Sequence, residues 1–186
     1  MQRYSFATII SIKDDAPVAT HLPFLVAIRD DKVVLTSHFA KANDQWTNLE
    51  TSKILVIFTE PHAYISTKNY DKELNVPTWN YISVHAYGTA RLIHEPSMAL
   101  EVINSTIDNF EVSYRQQWDS FPAEYKAKML NGIVAFEIEV TDLQGKKKLS
   151  QNRSDTEKEK IIETLSKSSD PNEKTIAEFM IDNKNT

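Results

Sequence analysis

Val76-Pro77-Thr78-Trp79-Asn80-Tyr81-Ile82-Ser83-Val84-His85-Ala86-Tyr87-Gly88 changes character at every second residue once past its proline. Successive side chains of a strand leave on opposite sides, so Ile82, Val84 and Ala86 share one face and Tyr81, Ser83, His85 and Tyr87 the other. The first face suits a barrel interior. The second is aromatic and hydrogen-bonding.

The chain keeps this character on both sides of the stretch. Phe6 to Ile12 alternates, and Val18 to Ile28 is a second β-rich run. The polar Asp30-Asp31-Lys32 separates that run from Val33 to Thr36, which predicts a hairpin. Ile54 to Phe58 is a short unbroken apolar run, read as a strand buried on both faces, and Ala63 to Ser66 is another strand. Late in the chain Val134, Phe136, Ile138 and Val140 face one way, with Glu137 and Glu139 opposite on a side read as solvated. Helical spacing follows Pro96-Ser97 through Phe110. A short helix runs from Pro122 to Asn131-Gly132. Ser154 and Glu157 make a capping-box pattern ahead of Ile161, Ile162 and Leu165. Asp170-Pro171 opens a last helix with Ile176, Phe179 and Met180. Many strands followed by terminal helices predict a mainly β, α+β chain: a barrel-like domain over 1–153, with peripheral helices, and a helical C-terminal extension over 154–186 packed on it.

Composition narrows the function classes. The 186 residues contain no cysteine, so a disulfide framework, a thiolate nucleophile and a cysteine-bound metal are excluded, as a reducing cytosol would allow. Three glycines form neither G-x-G-x-x-G nor G-x-x-x-x-G-K-[ST], which removes the Rossmann and P-loop devices. The start reads as no secretory signal and no run reaches membrane-spanning length, so a cytoplasmic chain is expected. A net charge of −5 repels a phosphate backbone overall. Lys146-Lys147-Lys148 with Arg153 is the one basic cluster, read as a solvated loop or a nucleic-acid patch.

The five histidines form no H-E-x-x-H, and no G-x-S-x-G elbow exists, so neither a zinc centre nor a serine hydrolase is indicated. Three polar clusters remain. Ser37, His38, Lys41 and Asn43 leave a strand for a turn, where donors could meet a phosphate; equally, Ser37 and Asn43 could be caps and Lys41 a solvent charge. Tyr70, Trp79, Tyr81 and Tyr87 could wall a flat heteroaromatic ring, with Asn80, Ser83 and His85 at its polar edge, or be core or subunit contact. Lys148, Ser150, Gln151 and Arg153 could clamp phosphate or form a charged loop.

At these clusters the sequence resembles the PaiB family of FMN-binding negative transcriptional regulators. The matching strings are Ala19-Thr20-His21-Leu22-Pro23-Phe24, Ser37-His38-Phe39-Ala40-Lys41-Ala42-Asn43, Tyr64-Ile65-Ser66, Val76-Pro77-Thr78-Trp79-Asn80-Tyr81 with Val84-His85 and Gly88, and Lys148-Leu149-Ser150-Gln151-Asn152-Arg153. The resemblance implies a split β-barrel of FMN-binding type that forms a homodimer, with FMN in a groove between subunits. It also implies repression of degradative-enzyme (protease) and sporulation genes. By motif, Ser37, His38, Lys41 and Asn43 would lie near the FMN phosphate and ribityl chain. Trp79, Asn80, Tyr81 and His85 would lie near the ring or the subunit contact, and Lys148, Ser150, Gln151 and Arg153 would reach the same groove. Family members usually begin with a further helical segment, and they commonly have glycine where Ser37 stands. The expected role is regulation by association, through DNA or another regulatory protein, without substrate turnover. An FMN-dependent oxidoreductase and a haem-binding split barrel are the alternatives.

Overall fold

The computed structural model describes residues 1–184. In chain order these form β1 (Phe6–Lys13), β2 (Ala16–Pro23), β3 (Leu25–Arg29), β4 (Lys32–Ala40), β5 (Ile54–Phe58), β6 (His62–Ile65), β7 (Thr78–Ile93), α1 (Pro96–Phe110), α2 (Arg115–Ser120), α3 (Ala123–Leu130), β8 (Ile133–Lys148), α4 (Asp155–Ser166) and α5 (Pro171–Lys184). The strands join in the order β2-β1-β5-β7-β8-β4-β3, with β6 paired to β7 off that path. The class is α+β and mainly β, as the alternation implied. Among the described residues no helix is long and apolar enough to cross a membrane.

Two tight hairpins set the registers. Lys13 pairs with Ala16 and Arg29 with Lys32, which leaves two-residue loops. Asp14, Asp15, Asp30 and Asp31 hold φ of 50°, 61°, 48° and 61°. Positive φ at both loop positions is the type I′ geometry, whose twist matches the flanking strands. Aspartate tolerates it because its short polar side chain bonds locally. The run Val18 to Ile28, read as one strand, is two. Phe24 divides it: its N–H donates to the Ser5 carbonyl at 2.8 Å. Its ring turns inward, 1% exposed, against Phe58 and Phe136.

The chain packs as two compact units, one of residues 1–58 with 85–143, the other of 59–84 with the described residues from 144 on. β7 and β8 contribute to both. In the first unit Ile9, Leu35, Phe39, Val56, Phe136 and Ile138 are fully buried. Leu35 pairs with Ile138 and Ser37 with Phe136, so these positions face the core, while Thr36 opposite Glu137 lies on the reverse face. That reverse face is more than solvated. Glu137 accepts from Arg29 at 2.5 Å and from Arg91 at 3.1 Å, and its side chain is 13% exposed. Two flanking guanidiniums shield the carboxylate, a cross-strand arrangement that alternation along β8 alone cannot reveal. The six-residue α2 escapes sequence reading because it is too short to show a period. Its Trp118 is buried and donates to Asn104 Oδ1 at 2.9 Å.

In the second unit Ala63, Ile65, Tyr70 and Leu149 pack with Ile161, Leu165, Ile176, Ala177 and Met180 of α4 and α5. Ser154 Oγ accepts from the Glu157 N–H at 3.2 Å, as the capping pattern predicts. Glu157 does not reach back to Ser154; its buried carboxylate accepts from the Asp71 N–H at 3.0 Å and so ties the preceding loop to α4. Lys146, Lys147 and Lys148 belong to the end of β8 rather than to a loop.

Candidate functional site

The segment leaving β8 is built around one unusual residue. Ser150 is 5% exposed and holds φ of 57°, a left-handed conformation that costs a non-glycine residue roughly 1–2 kcal/mol. Its hydroxyl donates to Asn80 Oδ1 at 3.0 Å, and the fully buried Asn80 in turn points its Nδ2 at Met180 Sδ, 3.5 Å away. This pair of bonds joins the two longest sequence motifs. Gln151 closes the turn locally: its Oε1 accepts from the Leu149 N–H at 2.8 Å and its Nε2 donates to the Lys147 carbonyl at 2.7 Å.

Two cations border the turn. Lys148, half-buried, donates to Thr78 Oγ1. Arg153 stacks 3.7 Å from the centroid of the Tyr70 ring, donates to Asn75 Oδ1 at 2.9 Å and lies 4.0 Å from Glu157 Oε2. Thr78, Asn80, Lys148, Ser150, Gln151 and Arg153, with Val76, Pro77 and Asn152, line a cavity of about 190 Å³. Among the described residues no carboxylate lines it. Spare N–H groups on an ammonium and a guanidinium beside hydroxyls and amides are the donor set that a phosphate requires. The volume is below the roughly 300–1,000 Å³ of pockets that enclose drug-sized ligands, so it accommodates a phosphate and the start of its chain but not an isoalloxazine.

Trp79 and Tyr81 are directed elsewhere. Tyr64 pairs with Trp79 and His62 with Tyr81, so four rings share the face of the β6–β7 ladder opposite Asn80. Trp79 lies 5.7 Å from Tyr64 and 5.9 Å from His62 between ring centroids, and it is 52% exposed. Strand alternation therefore separates Asn80 from its two aromatic neighbours. His85, half-buried, lies further along β7 in the first unit.

The β4 cluster also belongs to the first unit, and its members have divided roles. Ser37 is buried and donates to the Pro23 carbonyl at 2.7 Å. Asn43 is a cap: its Oδ1 accepts from the Gln45 N–H at 3.0 Å, and its Nδ2 donates to Thr20 Oγ1 at 2.8 Å. His38 is half-buried, and burial lowers its pKa below the ordinary 6.5, so at pH 7 it is a neutral imidazole rather than a counter-charge. Lys41 is exposed, with its backbone held by Gly132 and Trp46. Its ammonium makes no ion pair among the described residues. Sequence reading missed Asn75 and Thr78 as partners of the cations. The 78-residue gap between Asn75 and Arg153 leaves no local signal.

Comparison with known proteins gives this geometry a context. The family described as "Putative FMN-binding domain" matches residues 1–142. "Protease synthase and sporulation protein PAI 2" of Bacillus subtilis (strain 168) is 40% identical over 186 residues, which spans 98% of this chain and 88% of that protein. Among solved structures, the flavocytochrome Anf3 from Azotobacter vinelandii superposes with a TM-score of 0.59 at 18% identity, over 77% of this chain and 62% of that one. The FAD and heme binding protein from Mycobacterium smegmatis gives 0.58 at 16% identity, over 78% and 66%. These likenesses show a shared fold, and the aligned part is under two-thirds of either solved chain.

Proposed function

Because the chain belongs to the "Putative FMN-binding domain" family, we propose that it is an FMN-binding negative transcriptional regulator of PaiB type, acting in the cytoplasm as a homodimer on degradative-enzyme and sporulation genes. The name and 40% identity of the Bacillus subtilis relative support the regulatory part. The observation that carries the flavin part is the acid-free cavity between Lys148 and Arg153, in a chain whose net charge is −5. Two cations converge on this cavity, and Glu157, 4.0 Å from Arg153, lies outside its lining, an arrangement that favours a dianion.

FMN, when bound, supplies a flat redox-active tricycle on a phosphorylated chain. Lys148 and Arg153 carry its phosphate charge, and Ser150 with Gln151 fixes the turn that presents them. Within the first unit, Lys41 and the neutral His38, on a framework held by Ser37 and Asn43, are donors suited to a phosphorylated chain, and His85 stands ready for a ring or a subunit contact. Within the second unit, Trp79 and Tyr81 offer an aromatic face for a ring or a subunit contact. A cavity of about 190 Å³ needs a further wall, and a second copy of the chain supplies it. The segment 154–186 acts as an extension of the 1–153 domain. Contact with the genes runs through DNA or through another regulatory protein; neutralising Lys146, Lys147 and Lys148 abolishes salt-sensitive gel-shift binding in the first case only.

Titration with FMN while following flavin fluorescence tests the reading. Saturable quenching weakened about tenfold by Lys148→Ala is expected, as a charge-assisted phosphate contact is lost. Absence of saturable quenching, or a Lys148→Ala curve superimposable on the wild type, would overturn it.

A further inference from the structure

A larger cavity, of about 560 Å³, lies within the first unit between α1 and the reverse face of β3, β4 and β8. Its size is that of pockets which enclose small organic ligands. Leu25, Ala27, Ile93, Met98 and Val102 give it an apolar lining. Its charged lining is opposite in sign to the phosphate-suited cavity: Glu101, Asp108 and Glu137 stand against the single cation Arg29. Asp108 is neutralised by Arg115 at 2.6 Å, and Glu137 by Arg29 and Arg91. Glu101 makes no ion pair among the described residues. Glu101, Ser105 and Asp108 recur at four- and three-residue steps and so line one side of α1.

A second observation points to an occupant. Thr36 is 6% exposed, lines the cavity, and its hydroxyl makes no hydrogen bond among the described residues. That oxygen is not sealed from solvent, so it opens into the cavity and is free to bond an occupant. Its register neighbours Leu25 and Glu137 put it on the sheet face beneath α1.

From these features we infer that this cavity is a binding site for a small amphiphilic amine, its apolar body on Leu25, Ala27 and Val102, its ammonium on Glu101, and a hydrogen-bonding group on Thr36. The site is separate in chemistry from the flavin reading and does not rest on it. With Asp108 and Glu137 neutralised, the carboxylate of Glu101 is the charge that sets the preference, for a cation over a phosphate dianion.

Phenethylamine and phenylacetate share one apolar body and differ in the sign of the head group. Calorimetric titration of the full chain with each is the test, with Glu101→Gln and Thr36→Val as variants. Saturable binding of the amine alone is expected, weakened about tenfold in Glu101→Gln and several-fold in Thr36→Val, whose melting temperature does not fall because an unpaired hydroxyl is removed. Equal binding of both compounds, or amine binding unchanged in both variants, overturns the inference. FMN added to amine-saturated protein separates the two readings: displacement of the amine overturns this one, independent binding upholds it, and amine binding without any FMN binding leaves this site standing while the flavin reading falls.

Discussion

Ser150 shows how one residue can hold two motifs together. Its hydroxyl satisfies Asn80, and its left-handed backbone aims Lys148 and Arg153 at one cavity. Ser150→Ala strands the buried Asn80 oxygen and keeps the strain, so urea denaturation should show a loss of about 2 kcal/mol. Ser150→Gly relieves the strain, so its loss should be smaller by roughly 1 kcal/mol. Gly88 is a different constraint. A Cβ there would sit 2.2 Å from the Glu139 carbonyl oxygen, so Gly88→Ala must push β7 from β8, at about 3 kcal/mol by the same measurement. Glu137 adds a pH dependence. Burial raises its pKa, but hydrogen bonds and charge from Arg29 and Arg91 outweigh that and leave it below the ordinary 4.5. A depressed carboxyl pKa contributes stability that is present above pH 4.5 and disappears as pH falls through the folded-state value. Unfolding free energy should therefore decline less steeply below pH 4.5 in Glu137→Gln than in the wild type.

Elements were legible where their cause is local. The β3–β4 hairpin is readable from Asp30-Asp31 between two β-rich runs, and α4 from Ser154 three residues before Glu157. Pairings set by distant residues were not: neither the two arginines on Glu137 nor the Asp71 bond of Glu157 has a signal along one strand or helix. The same limit holds for the site, whose motifs were visible as strings while their joining through Ser150 and Asn80 was not. The hairpins also allow a test. Type I′ loops prefer glycine at the second position, so Asp31→Gly should raise stability by about 0.5 kcal/mol, read as a later denaturation midpoint with an unchanged slope.

For the molecule as a whole, the interleaving of the two units decides what can be removed. The second unit draws Ala63, Ile65, Tyr70 and Leu149 from before residue 154 and closes them with Ile161, Leu165, Ile176, Ala177 and Met180 from after it. A chain ended after Arg153 should therefore expose that half-core and show, by hydrogen exchange, lost protection in β6 and the first half of β7 with slower-exchanging amides kept in β1, β4 and β5. Uniform protection equal to that of the full chain would show that the helices contribute nothing to this core.

The three tryptophans sit in unlike surroundings: Trp118 is 6% exposed, Trp46 is half-buried, and Trp79 stands 52% exposed among rings at the sheet edge. The protein thereby carries an intrinsic optical label. Long-wavelength emission and iodide quenching should report selectively on the indole of Trp79, so that anything settling over that aromatic ledge announces itself as a blue shift without a dye attached.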